Sequence, residues 1–198
     1  MLKSIISLSL LCASTLAQTP VHSWPTTHKH LGVIYEDINV TLNLWINSKD
    51  VSSQPIVYDT THDSHHGHYM IFLIDWMIPA SDMSTPDQYD TLVPGLAVNT
   101  TNRLHWWGGN FTLNGRGVFV NESDAVSPYT APRPRDSTNH TYAFYLFDQP
   151  EHYKLPVKAA DGLYYDQITD ARFNFSMVPI VQAVGKPLAA TYFISNNA

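Results

Sequence analysis

The sequence predicts one mostly-β domain, and three observations carry that prediction. Apolar residues come in short runs separated by turn-forming residues, the pattern of strands rather than of long amphipathic helices. Of the 198 residues, 44% are hydrophobic and 12% aromatic, while only 14% are charged, which argues against a coiled coil, a long bundle or a disordered tail. Thirteen prolines suit a loop-rich domain, and a chain of this length can bury a sizeable core. With no internal repeat, low-complexity linker or break in composition, residues 18–198 read as a single domain.

Met1 to Ala17 reads as a secretory signal peptide. Lys3 supplies the positive start, Ile5 to Leu16 the apolar stretch, and Thr15-Leu16-Ala17 a small-x-small cleavage site. The stretch is too short and too rich in Ser and Thr for a membrane span, and no second apolar segment of about 20 residues follows. The expectation is a secreted, extracellular protein. Cys12, the one cysteine, lies inside this segment, so the mature chain is expected to lack disulfides and thiol chemistry. Six sequons agree with secretion, at Asn39, Asn99, Asn110, Asn121, Asn139 and Asn174.

Strands follow in order. Leu31–Tyr35 is a short apolar run, and from Asn39 to Ile46 the chain alternates, with Val40, Leu42, Leu44 and Ile46 on one face. Pro55–Tyr58 is another short candidate. Tyr69 to Trp76 is almost continuously apolar, which predicts a strand buried on both faces. Leu104–Trp107 and Gly117–Val120 flank Asn114-Gly115, a tight-turn signal. Thr141 to Phe147 is an aromatic-rich strand, and Ala190–Ile194 closes the set. One helix is expected near the C-terminus, with Ser176 as cap, Pro179 in the first turn and Gly185 ending it before Pro187. Ser81–Tyr89 and Ser123–Asn139 read as ordered loops.

Charge narrows the partners. Formal charge is −6, from 11 Lys and Arg against 17 Asp and Glu, with no basic run, so nucleic acid and anionic membrane surfaces are poor partners. Nucleophile elbow, HExxH, P-loop and dinucleotide motifs are all missing. Four of the ten histidines crowd His62-Asp63-Ser64-His65-His66-Gly67-His68. His62, His65, His66 and His68 are weak candidates for a divalent metal, the simpler reading being a solvated loop entering a strand. A cupin-type site would need a glutamate shortly downstream, and Tyr69 to Trp76 contains none. A copper oxygenase would need an N-terminal histidine, whereas cleavage after Ala17 exposes Gln18. Three separated elements can instead converge on one pocket: Asp75 at the end of its buried strand, His105 in Leu104-His105-Trp106, and Tyr129-x-x-Pro132-x-Pro134 followed by His140 and Tyr142. Two imidazoles, a carboxylate and a phenol can hold an anion, the carboxylate fixing a tautomer or receiving an ammonium group.

These residues, in this order, resemble the phosphatidylethanolamine-binding protein family. Tyr69 to Pro79 is similar to the family strand that ends in D-P-D-x-P, and Leu104-His105-Trp106 to its L-H-W element. Tyr129 to Leu146 resembles the Gly- and Pro-bearing loop followed by H-x-Y. Phe173-Asn174-Phe175-Ser176 and Gly185 to Phe193 resemble the closing stretch. Leu31–Tyr35 and Gln54-Pro55-Ile56 match the opening strands more loosely, so the likeness runs from Leu31 to Phe193. It implies a β-sandwich of a large and a small antiparallel sheet with a few short peripheral helices, in a secreted member of fungal type. It also implies a pocket for phosphate or a phosphoethanolamine head group built from Asp75, His105, Pro132, Pro134, His140 and Tyr142. This chain departs from the pattern at Trp76 and Met77, which replace a proline and the second aspartate. Arg133 and Arg135 stand in the loop that is usually glycine-rich. The expectation is a pocket with one carboxylate fewer and more bulk.

Two functions of different class follow. The first is a non-catalytic binding module for a small anion or phospholipid head group, with no cofactor, whose phosphate affinity rises as pH falls from about 7.5 to 5.5 through histidine protonation. The second, implied by the carboxypeptidase Y inhibitor within the same family, is an inhibitor of a serine protease or carboxypeptidase, with Gln18 to His30 as a candidate tail. A His-rich metal-binding protein, or an enzyme at His62–His68 or at Asp75 and His105, is a weaker third.

Overall fold

The structure, a computed structural model, describes residues 17–60, 67–79, 100–134, 137–155 and 172–197. Most of the expected signal segment, His62, His65, His66, the loop Ser81–Tyr89, Asn99 and Arg135 lie outside these residues.

Among the described residues, nine strands form two sheets. The small sheet has the order β2-β1-β4, from β1 (Gly32–Tyr35), β2 (Ile38–Asn39) and β4 (Ile56–Tyr58). The large sheet runs β3-β9-β8-β5-β6-β7. Its centre is three long strands, β5 (His68–Pro79), β6 (Thr100–Leu113) and β8 (His140–Gln149), with β9 (Ala189–Ser195) beside β8. Short β3 (Leu44–Trp45) and β7 (Phe119–Val120) sit at its edges. Neighbours pair antiparallel except β3, which runs parallel to β9.

The near-continuous apolar run of β5 is explained by its central place. Tyr69, Ile71 and Leu73 face one core cluster, shared with Leu31, Val33, Tyr35 and Val57 of the small-sheet region. Met70, Phe72, Ile74 and Trp76 face a second, closed by Phe175, Met177 and Ile180. Period-two alternation thus sends successive side chains into different cores, both apolar. The helix α1 (Val178–Val184) lies on this second face. Its boundaries match expectation in part: Met177 holds the cap position, and Ser176 Oγ accepts from Val178 N at 3.3 Å. Gly185, at φ 90°, ends it and donates to Val181 O. A 3-10 turn lies at Ser48–Val51.

Two expectations need correction. The alternating segment Asn39–Ile46 is not one strand. Asn43 takes a left-handed φ of 63°, Leu44 N bonds Thr41 O, and the chain reverses between β2 and β3. Asparagine tolerates that conformation, so alternation here spans a turn. Likewise Gln18 to His30 is no hanging tail. Gln18 N donates to Thr27 O at 2.8 Å, Thr19 and Ser23 are buried, and Trp24 packs on the second core. Among the described residues no helix is long and apolar enough to cross a membrane.

Candidate functional site

Register breaks between β5 and β6 build the site. Leu73 pairs with Trp106 and Ile74 with Leu104, leaving His105 as an extra residue on β6. One extra residue is a β-bulge, which re-aims side chains that strict alternation would separate. Trp106 consequently joins the first core while Leu104 and Trp107 join the second. The His105 ring reaches the Tyr142 ring at 5.2 Å, edge to face. A second break, between Asp75 and Ile78, puts an extra residue on β5, and there Asp75 Oδ1 accepts from Met77 N at 3.1 Å.

Across the sheet, Asp75 pairs with Tyr142, two residues from His140 on the same face of β8. His140 Nδ1 donates to Asp75 Oδ2 at 2.7 Å, with both side chains 2% exposed. The His140 and Tyr142 rings stack at 6.3 Å, and Tyr142 stacks on Phe193 at 5.2 Å. Asp75 therefore spends one oxygen on the bulge and the other on an imidazole. It is an orienting carboxylate: it fixes the tautomer of His140 with the proton on Nδ1.

His105 is fixed differently. Its Nδ1 lies 2.8 Å from Thr130 O, and a carbonyl only accepts, so Nδ1 carries the proton. Thr130 N returns a bond to His105 O at 2.8 Å. Burial pushes the His105 pKa down to about 3, and the positive charges of Arg103 and Arg172 lower it further against the opposing pull of Asp75 and the Thr130 bond. The ring is thus neutral at ordinary pH, with Nε2 as an acceptor. This corrects one expectation: His105 does not supply an imidazolium between pH 7.5 and 5.5.

Of the six expected pocket residues, contacts join four: Asp75, His105, His140 and Tyr142. Pro132 and Pro134 are buried in the loop that Thr130 ties to His105, while Arg133 is exposed. Trp76 does not crowd this face; its indole belongs to the opposite core, and Met77 points outward at 37% exposure. His68 is exposed at the far end of β5, and the described residues hold no group of three metal-ligating side chains. Asn39, Asn110 and Asn139 are exposed, while Asn121 and Asn174 are half-buried. Asn139 adjoins buried His140, with its Oδ1 accepting from Asn196 Nδ2 at 2.9 Å.

Sequence reasoning missed Arg172. It is fully buried, and its Nη1 donates to His105 O at 3.3 Å, Pro128 O at 3.0 Å and Leu104 O at 3.4 Å. One guanidinium therefore clamps the bulge to the following loop and brings positive charge beside His105. Its only signal was its place directly before Phe173. Missed too was a phenol relay: Tyr129 OH donates to Val51 O at 2.7 Å, which leaves Tyr35 OH to donate to Tyr129 OH at 2.9 Å. Two described cavities, of about 350 and 470 Å³, are lined by neither Asp75, His105, His140 nor Tyr142.

No protein-family model matches the chain. Phomoidride biosynthesis cluster protein N of Talaromyces stipitatus is 27% identical over 208 aligned positions, covering 96% of each chain. Among solved structures, the chain is similar to a carboxypeptidase Y inhibitor complexed with its cognate proteinase (TM-score 0.57, 14% identity, 85% of this chain and 83% of that one). It is also similar to the phosphatidylethanolamine-binding protein of Plasmodium vivax (TM-score 0.50, 14% identity, 89% and 92%). Its two sheets and these neighbours give the chain the phosphatidylethanolamine-binding-protein fold.

Proposed function

We propose that this chain is a secreted, non-catalytic binding protein that holds a small anionic head group, phosphate or phosphoethanolamine, at Asp75, His105, His140 and Tyr142. One observation carries the reading. An Asp–His pair and a second, neutral imidazole share one buried face, where each polar group costs desolvation free energy that apolar residues would not. Positive charge from Arg103 and Arg172 near His105 favours an anion. The bare Nε2 of His105 suits a ligand that also donates, such as an ammonium or a protonated phosphate. Any gain in affinity toward low pH then does not rest on His105. Asp75 already has a partner on each oxygen, which suits a carboxylate that orients His140 rather than one that attacks a substrate, and the site is read as one that holds rather than transforms. The relative named for a biosynthesis cluster favours a small-molecule ligand over a protease; the likeness to the carboxypeptidase Y inhibitor supports the fold that both readings share.

Calorimetric titration of phosphoethanolamine into the protein at about pH 6 tests this. Saturable heat that His140→Ala abolishes, with the ligand unchanged by phosphorus NMR after incubation, is the expected result. Absence of binding to the wild type, or unaltered binding in the variant, overturns the proposal; a changed phosphorus spectrum overturns the non-catalytic part.

A further inference from the structure

We infer that the cavity of about 470 Å³ between β4 and the β6–β7 hairpin is a second site, for a neutral, amphipathic small molecule. Its floor is aromatic. Trp106, Phe111 and Phe119 line it and are themselves nearly inaccessible, with Trp106 and Phe111 packed edge to face at 5.7 Å. Its mouth carries two apolar side chains beside the polar Gln54, Asn121 and Ser123. Ile56 is 55% and Val120 42% exposed, so two of the five exposed large hydrophobic residues among those described border this one cavity. Isolated exposed apolar side chains need no explanation, but two at the rim of an aromatic-floored cavity do.

The backbone makes the space. Tyr69 pairs with Phe111 and Ile71 with Gly108, so β6 carries another extra residue here, and Asn110 takes a left-handed φ of 56°. A Cβ on Gly108 would lie 2.5 Å from Phe111 Cε2, so glycine lets that ring lie against the strand. Without the bulge and the glycine, alternation would not place Trp106 and Phe111 on one face.

The lining selects the occupant. None of its twelve described residues is charged, so an ionic ligand would enter without a counter-charge and lose its hydration. Two polar rim groups are already satisfied: Asn121 Nδ2 donates to Gly109 O, and Asn121 Oδ1 accepts from both the amide and the hydroxyl of Ser123. The volume is in the range of small-molecule sites, roughly 300–1,000 Å³. Volume, an uncharged lining, an aromatic floor and a rim that includes Gln54, Asn121 and Ser123 together describe a small, neutral, amphipathic ligand, independently of the anion site.

Nile red, a neutral dye, is the probe. Saturable one-to-one binding is expected, weakened about tenfold or more by Ile56→Lys and by Val120→Lys, both at exposed positions. Val21→Lys, at a 78% exposed position, should change nothing. Decanol should displace the dye at a concentration about tenfold or more below that of decanoate, and phosphoethanolamine should not displace it. Equal dye binding in both rim variants overturns the inference, as does displacement by phosphoethanolamine. So does sedimentation showing that the wild type self-associates and that Ile56→Lys abolishes this together with the dye signal, since the face would then be an interface between copies.

Discussion

His105 should make the fold acid-sensitive by a measurable amount. An exposed histidine in the unfolded chain titrates near 6.5, whereas burial holds the native ring down to about 3. Below pH 6.5 the unfolded state therefore binds a proton that the native state refuses. Stability must then fall as pH falls, at up to about 1.4 kcal/mol per pH unit, until the native pKa is reached. Between pH 7 and pH 5 the loss from this one residue integrates to about 2 kcal/mol, a large share of the 5–15 kcal/mol typical of a domain. The comparison is between wild type and His105→Asn, whose amide nitrogen can keep the donor to Thr130 O. Urea unfolding followed by tryptophan fluorescence at pH 7, 6 and 5 gives ΔG for each, with equal m-values as the check on two-state behaviour. The variant is less stable at pH 7, because a smaller side chain leaves space. Its loss from pH 7 to pH 5 should nevertheless be smaller by about 2 kcal/mol, since every other titrating group is common to both proteins. Identical losses in the two proteins would mean that His105 protonates in the native state and would refute its neutrality at ordinary pH.

Three further outcomes are expected. Tyr129→Phe should cost more stability than Tyr35→Phe, because it strips Val51 O of its donor and Tyr35 OH of its acceptor, whereas Tyr35→Phe removes one donor only. Urea midpoints should put the gap at about 1 kcal/mol. Replacing both members of the buried pair, Asp75→Leu with His140→Phe, should leave stability within about 1–2 kcal/mol of wild type, while Asp75→Leu alone should cost about 3–5 kcal/mol in the same assay. Deleting residues 18–30 should lower the thermal midpoint, since it removes Thr19, Ser23 and Trp24 from the core; inhibition of a serine carboxypeptidase, assayed on the intact chain, would return the protease reading to the front.

The long strands were legible because period and burial agree in them. Tyr69 to Trp76 sits between two cores, and both demand apolar residues. Leu104–Trp107 revealed only the middle of β6, since Thr101, Asn102 and Gly109 give that strand no apolar signature while their burial comes from its neighbours. The segment Asn39–Ile46 misled for the opposite reason. Val40 and Ile46 are both buried, so alternation was satisfied on either side of a turn that one asparagine makes possible. Asp75, His105 and His140 could be named from residue type and order, but their roles could not. Nothing in Leu104-His105-Trp106 announces that His105 is the supernumerary residue, because a bulge is a property of two strands. Arg172 was invisible for a related reason: its partners are carbonyls of Leu104, His105 and Pro128, and a carbonyl carries no mark in the sequence.

Two of the three places where the β5–β6 register fails are also where the polar groups gather, and the coincidence has a physical cause. A regular β5–β6–β8 sheet would bury an unbroken apolar face under the small sheet. Two bulges, one on each strand of the β5–β6 pair, open that face at one end. The first turns His105 inward beside Trp106, and the second gives Asp75 an amide to hold while its other oxygen reaches His140. Neither device stabilises the sheet, since each leaves a residue out of the ladder. Arg172 then has to be buried to hold the His105 and Pro128 carbonyls, and its charge helps keep His105 neutral. Each of these buried polar groups costs desolvation that an apolar residue would not, and it is on that cost, together with the positive charge beside His105, that the proposed anion site rests.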